Sequence, residues 1–171
     1  SVLNSVKAME FFQRLEELFN TKKYMLSFAE GLKITFIIAF SALAIGLVLG
    51  VIVSLIKISA TRSKKMKFAA FLCDVYVMVI RGTPMALQLF IMAFAVFAIR
   101  GFPLTVTAII TFGINSGAYI SENIRAGIQS VDVGQLEAGR SLGMSYSSTM
   151  ARIIIPQAIK NVIPTIGNEM I

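Results

Sequence analysis

The chain contains no histidine and a single cysteine among its 171 residues, and only 15% of it is charged. Without histidine, the commonest general base and metal ligand is missing. The lone Cys73 allows no intramolecular disulfide framework and reads as a small apolar filler. No GxxxxGK[ST] pattern occurs, so if this chain's work is driven by ATP, another chain must hydrolyse it. A nucleophile, a base and an oxyanion site are nowhere recognisable together, which argues against hydrolysis or group transfer. The start lacks the basic stretch, continuous apolar core and cleavage site of a signal peptide, and a chain beginning at Ser1 is expected to be a fragment or a processed product. Linkers, low-complexity segments, internal repeats and a substantial soluble domain are absent too. What is present is apolar: 56% hydrophobic residues and a mean hydropathy of +0.78 place the chain among membrane proteins. The formal charge of +7 gathers at segment ends, which fits retention on the cytoplasmic side and not nucleic-acid binding.

Residues 1–30 place Ala8, Phe11, Phe12, Leu15, Leu18 and Phe19 on one helical face, opposite Lys7, Arg14, Glu16 and Glu17, and read as an interfacial helix. Ile34 to Ile56 is the first clear span, at roughly 34 Å long enough for a hydrocarbon core of about 30 Å. Within it Ala42, Gly46, Gly50 and Ser54 recur every fourth residue, a stripe suited to packing against another helix. Lys57 to Lys67 carries five basic residues and no acid, which predicts a cytoplasmic segment and an external amino terminus. Phe68 to Ile80 and Pro84 to Ile99 together measure about 44 Å, so something must bend or lie flat. Lys67, Asp74 and Arg81 share a face, which predicts that the first part runs along or obliquely into the cytoplasmic interface. Gly82, Thr83 and Pro84 supply a break, an N-cap and a first-turn proline, restarting a helix that crosses outward. Arg100, Gly101 and Pro103 mark an external turn, and Leu104 to Gln129 returns inward.

That returning span is the polar one. Asn115, Tyr119 and Glu122 share a face, and a carboxylate inside a span costs about 2.5–3.5 kcal/mol at the helix centre, so Glu122 must face protein or a water-filled cavity. It is a candidate substrate or gating residue; the alternative is a structural pair with Arg125 one turn on. Asn115 and Tyr119 could orient a zwitterion, and equally could make helix-to-helix hydrogen bonds. Gln88, one turn into the second span, offers both donor and acceptor to a polar ligand, or serves as interhelical glue. Arg81 reads as an interfacial anchor or as a gate.

The stretch Val131 to Pro156 carries Asp132, Glu137, Arg140 and Arg152 and must face water. Asp132 as N-cap, Gln135 in capping-box spacing and Gly143 as the stop predict a short helix over Val133 to Leu142. Ala138 and Gly139 would let another protein approach closely, with Glu137 and Arg140 as charged anchors. From Ile153 the chain re-enters the membrane, with Pro156 and Pro164 interrupting the helix and Asn168 and Glu169 near the end.

The run GQLEAGRSLGMS, Gly134 to Ser145, followed by IIIPQAIKNVIP, Ile153 to Pro164, resembles the EAA loop of ABC-importer permeases. RGTP (Arg81, Gly82, Thr83, Pro84) and INSGAYISENIRAGIQSVDVGQ, Ile114 to Gln135, resemble the polar amino acid branch of that superfamily. The likeness runs from about Glu30 to the end, and one letter departs from it: Gly139 stands third in EAA, lowering helix propensity by about 1 kcal/mol relative to alanine. The resemblance implies an all-α, polytopic helical membrane protein with the type I ABC importer (MetI-like) permease fold, C-terminally incomplete beyond Ile171. Its expected parts are an interfacial helix over 1–30, a transmembrane domain over 31–171 and a cytoplasmic coupling loop over 130–156. It implies an ATPase partner that holds ATP and Mg, none being bound by this chain. It further implies a second permease subunit, identical or related, an extracytoplasmic substrate-binding protein, and a multi-pass place in the cytoplasmic membrane. The pathway candidates are then Gln88, Asn115, Tyr119 and Glu122, and the ATPase-coupling candidates Glu137, Ala138, Gly139, Leu142 and Gly143. Arg81, Gly82, Thr83, Pro84 and Pro156 are expected to serve the fold. An ABC permease for another small solute, an ion-coupled secondary transporter and a purely structural subunit are the competing readings.

Overall fold

The computed structural model describes residues 2–20, 22–60, 66–98 and 101–168. All regular structure among them is helical: α1 Val2–Asn20, α2 Lys22–Ala60, α3 Met66–Gly82, α4 Met85–Ile91, α5 Leu104–Gln129, α6 Val133–Ser141, α7 Tyr146–Thr149 and α8 Ile155–Asn168. Two wider π-helical turns, Met92–Val96 and Met150–Ile154, extend α4 and join α7 to α8. The chain divides into compact units at 1–38 and 39–171. Much of the basic run (Arg62, Lys64, Lys65), the turn residue Arg100 and Glu169 lie outside the described residues.

In the first unit, α1 leaves Phe11 and Phe12 exposed, their rings edge to face at 5.9 Å. The expected interfacial helix over 1–30 is divided differently, because α2 begins at Lys22 and runs unbroken through Glu30 and Gly31 to Ala60. No proline falls between Lys22 and Ala60, so nothing breaks the helix and it extends well past the expected Ile34 to Ile56 span.

The second unit is built around α5, which touches each neighbour through a different small or polar residue. Gly46 and Gly50 of α2 lie so close to α5 that an added Cβ would come 2.7 Å from the Ser116 side chain and 2.6 Å from Ile120. Gly113 and Gly117 of α5 return the relation against Ile45 and Leu49. Ala42 and Ser54 are buried on the same stripe, and the Ser54 hydroxyl donates to the Ser121 carbonyl at 3.0 Å. The fourfold stripe therefore packs helix on helix as its spacing implied. From α3, the Tyr76 hydroxyl donates to the Ile114 carbonyl, and Val77 meets Val53 and Ala118 in a buried cluster with Cys73 half-buried beside it. Toward α8, Gly127 faces Val162 so tightly that no Cβ could be accommodated, and Asn161 donates to Ser130 Oγ at 2.8 Å.

Among the described residues two helices, Tyr24–Ala60 and Leu104–Gln129, are long and apolar enough to cross a membrane. Within the expected outward crossing over Pro84 to Ile99, the helical part, Met85–Val96, rises about 18 Å, less than a core of about 30 Å by itself. It meets α3 at a bend of 107°, and the two together are apolar enough to form a broken span or a re-entrant loop. Pro84 is the N-cap of α4 and not its first helical residue, and the Thr83 hydroxyl turns back to the Val79 carbonyl at 2.9 Å without capping α4.

The stretch after α5 is mostly helical. Val131, Met150, Ile154 and Ala158 form a small core against which Leu136 and Tyr146 pack, seating α6 on α7 and α8. Neither later proline ends a helix. Pro156 falls in the first turn of α8, where a missing N–H is tolerated, and the widened turn just before it gives room for the proline ring; Pro164 lies inside α8.

Candidate functional site

Glu122 is the centre of a five-residue ionic cluster drawn from three helices. Its Oε1 accepts from Lys57 Nζ on α2 at 2.8 Å, and its Oε2 accepts from Arg125 Nη2 at 2.6 Å and Nε at 2.9 Å. Lys57 also meets Asp74 of α3 at 2.8 Å, and Arg81 Nη1 lies 3.8 Å from Glu122 Oε2. Three cations face two carboxylates, and the alternation of sign is what allows this much charge within helices otherwise suited to hydrocarbon. The carboxylate is withdrawn, with its side chain 13% exposed, whereas Arg81 and Arg125 reach outward at 42% and 46%. While still partly exposed, the Arg81 guanidinium lies over the Tyr119 ring of α5, 5.0 Å from its centroid. Lys57, Asp74, Val77, Met78, Glu122 and Arg125 line an open depression on this side.

One turn and more along α5, Asn115 Nδ2 donates to Gln88 Oε1 at 3.1 Å. Gln88 spends its own amide hydrogens on the α3–α4 elbow, at Ile80 O and Thr83 Oγ1, both 2.7 Å away. The four pathway candidates thus fall into two groups, Gln88 with Asn115 and Tyr119 with Glu122. Lys57 and Asp74 were not among the candidates. Lys57 read as the first residue of a basic loop and Asp74 as part of an interfacial face, although a lysine on the last turn of an apolar span was a signal for an intramembrane partner.

The second candidate site is α6. Asp132 Oδ1 accepts from Gly134 N at 2.6 Å as the N-cap, and the helix ends in a Schellman arrangement, Met144 N donating to Gly139 O at 3.1 Å and Gly143 N to Arg140 O at 3.0 Å. Gly143 has φ +79°, the left-handed conformation expected of it. Glu137, Ala138 and Leu142 are exposed, Leu142 at 81%. Gly139 is corrected: it is buried, and the close approach it permits is by Thr149 of the same chain, whose Cγ2 would lie 2.5 Å from an added Cβ. The third EAA position is small here because α7 occupies the space.

Residues 46–171 match the family described as binding-protein-dependent transport system inner membrane component. The arginine transport system permease protein ArtQ of Bacillus subtilis (strain 168) is 43% identical over 144 residues, which are 83% of this chain and 64% of that protein. The putative glutamine transport system permease protein GlnP of Rickettsia bellii (strain RML369-C) is 42% identical over 158 residues, 91% of this chain and 70% of that one. The chain therefore spans about two thirds of the length of such relatives. A solved structure described as an amino acid ABC transporter with histidines superposes with a TM-score of 0.77 at 41% identity, covering 86% of this chain and 67% of its own. With 126 of its 171 residues matched, the chain belongs to the family of binding-protein-dependent transport system inner membrane components.

Proposed function

We propose that this chain is the membrane-spanning permease subunit of an ABC importer for a polar amino acid, moving substrate inward by alternating access. The observation that carries the reading is α6, a rigid helix capped at both ends that offers Glu137, Ala138 and Leu142 on an exposed side. An ATPase partner that holds ATP and Mg would seat this helix in a surface cleft and transmit its own movement through it. A second permease subunit, identical or related, would complete the pathway, and an extracytoplasmic binding protein would deliver the substrate. In this arrangement α6 is cytoplasmic and the amino terminus external. The arginine and glutamine permeases among its relatives support a polar amino acid as cargo. Engagement of Glu122 by Lys57 and Arg125 speaks against that carboxylate as a free proton carrier in an ion-coupled transporter.

The full-length protein purified in mild detergent should bring an ATPase with it, and in proteoliposomes should take up a polar amino acid only with ATP and binding protein present. Uptake driven by an ion gradient without ATP would overturn the assignment. Single cysteines replacing Leu104 and Ser141, in a Cys73-free background, should label from opposite faces of the membrane; labelling from the same face would overturn the orientation.

A further inference from the structure

Pro84 stands four residues beyond Ile80 and has no N–H, so the Ile80 carbonyl loses its helical partner at the end of α3. This happens inside the elbow where the chain bends by 107°. Gln88 supplies the replacement. Its Nε2 donates to the Ile80 carbonyl at 2.7 Å and to Thr83 Oγ1 at 2.7 Å, and the Thr83 hydroxyl passes its hydrogen to the Val79 carbonyl at 2.9 Å. A primary amide has two hydrogens, so both are committed to the elbow. The other end of the same amide, Oε1, accepts from Asn115 Nδ2 on α5 at 3.1 Å. Beside it lies a groove-like cavity of about 230 Å³ with Val79, Ile80, Leu87, Ile91 and Ile114 in its wall, leaving the elbow room to change its angle. A substrate that took the Gln88 hydrogens would strip the Ile80 carbonyl of a donor, a cost that a direct ligand role would have to meet at every cycle.

We infer that Gln88 is a positioning residue. It sets the α3–α4 angle by replacing the hydrogen bond that Pro84 removes, and it ties that angle to Asn115, so the elbow and the polar face of α5 move together during transport. The inference rests on the transporter reading above, but its structural half is read without turnover.

The test places spin labels at Met78 and Phe94, exposed positions on the two arms of the elbow, in the assembled full-length transporter with Cys73 replaced. Gln88→Leu removes both ends of the tie; Gln88→Glu keeps an acceptor for Asn115 but presents an oxygen to the Ile80 carbonyl. Asn115→Ala leaves the elbow bonds in place and cuts the connection to α5. Both Gln88 variants should shift the label distance and lower maximal uptake about ten-fold for every substrate, with KM unchanged. Asn115→Ala should keep the wild-type distance and lower maximal uptake by a similar factor. An unchanged distance in the Gln88 variants, a KM raised for one substrate at unchanged maximal rate, or normal uptake in Asn115→Ala would each overturn the inference. Should Gln88→Leu fail to assemble, Gln88→Glu decides alone. If the wild-type complex takes up no amino acid at all, the transporter reading fails, while the label distances still decide the role of Gln88 at the elbow.

Discussion

Lys57 and Glu122 are 65 residues apart in sequence, and the lysine ammonium donates to the glutamate at 2.8 Å where the last turn of α2 passes the inner part of α5. Both side chains are mostly withdrawn, at 18% and 13% exposure. Asp74 on one side and Arg125 on the other extend the pair into a strap across α2, α3 and α5. A lone charge at this depth would be penalised; four in alternating order satisfy one another, and the strap holds only while all three helices keep their registers.

Removing either end should therefore have unequal consequences. Glu122→Gln keeps the size of the side chain but leaves Arg125 without a carboxylate and Lys57 with Asp74 alone. Lys57→Met leaves Glu122 still paired with Arg125 and is the milder change. In a double-mutant cycle on the thermal unfolding of the assembled complex, the two substitutions should show a coupling of about 1–3 kcal/mol. Strict additivity would mean that the contact contributes nothing beyond its parts.

The interface between α2 and α5 makes a sharper contrast. At Gly46 a Cβ would already meet the Ser116 side chain at 2.7 Å and the Gly117 backbone nitrogen at 3.2 Å, and backbone cannot move aside cheaply. Gly46→Leu should cost about 1–3 kcal/mol or more and lower the yield of complex. Val48, two residues on, is 60% exposed, and Val48→Leu should stay within about 0.5 kcal/mol of the parent. Equal detergent stability for the two variants would refute close backbone packing at the stripe.

These cases show what kind of information the sequence carried. The four-residue recurrence from Ala42 to Ser54 announced a packing face because periodicity maps directly onto one side of a helix. Asp132 and Gly143 bounded α6 to within a residue because caps are local chemistry. The partner of Lys57 was not legible, since no local pattern links residues on α2 and α5 that meet only after both helices pack. For Gln88 the sequence left a ligand contact and interhelical glue both open, because no local pattern shows that its amide will reach the Ile80 carbonyl on one side and Asn115 of α5 on the other. Thr149 of α7, packed against Gly139 of α6, gave no signal because nothing in the run GQLEAGRS says which side of the helix the chain itself will cover.

Thr149 and Gly139 should consequently behave as a pair. Gly139→Ala, which brings the position to the alanine of the EAA pattern, drives a methyl group against Cγ2 at 2.5 Å and Oγ1 at 2.9 Å of Thr149. Despite the better helix propensity of alanine, the substitution should destabilise the α6–α7 junction by about 1 kcal/mol or more. Thr149→Ala clears both atoms, although it gives up the hydroxyl's hydrogen bond to the Ser145 carbonyl at 3.0 Å. Combining the two should recover part of the loss, measurable as a higher unfolding temperature than Gly139→Ala alone. No recovery would show that Thr149 is not what keeps residue 139 small.

The coupling role proposed for α6 can be tested separately from its folding because the residues concerned lie on different parts of the helix. Glu137 is exposed in mid-helix, and Leu142 at the C-cap is 81% exposed, so neither is needed to hold the chain's own core. Glu137→Ala, a change toward higher helix propensity, and Leu142→Ser should leave the unfolding free energy within about 0.5 kcal/mol of the parent. If this face meets an ATPase, both should nonetheless reduce substrate-stimulated ATP hydrolysis and uptake, Leu142→Ser by weakening co-purification and Glu137→Ala by loosening a charged contact. Gly143 acts through the turn. At φ +79° a β-branched side chain is penalised by about 1–2 kcal/mol, so Gly143→Val should lower both stability and partner recovery, whereas Gly143→Asn, which tolerates the left-handed region, should remain close to the parent. A merely solvated helix would respond differently: Glu137→Ala and Leu142→Ser would show normal uptake and normal ATPase stimulation, and Gly143→Val would lose stability without any specific loss of the ATPase. That pattern would remove the coupling assignment and the main physical reason for reading α6 as the element through which ATP hydrolysis reaches the membrane.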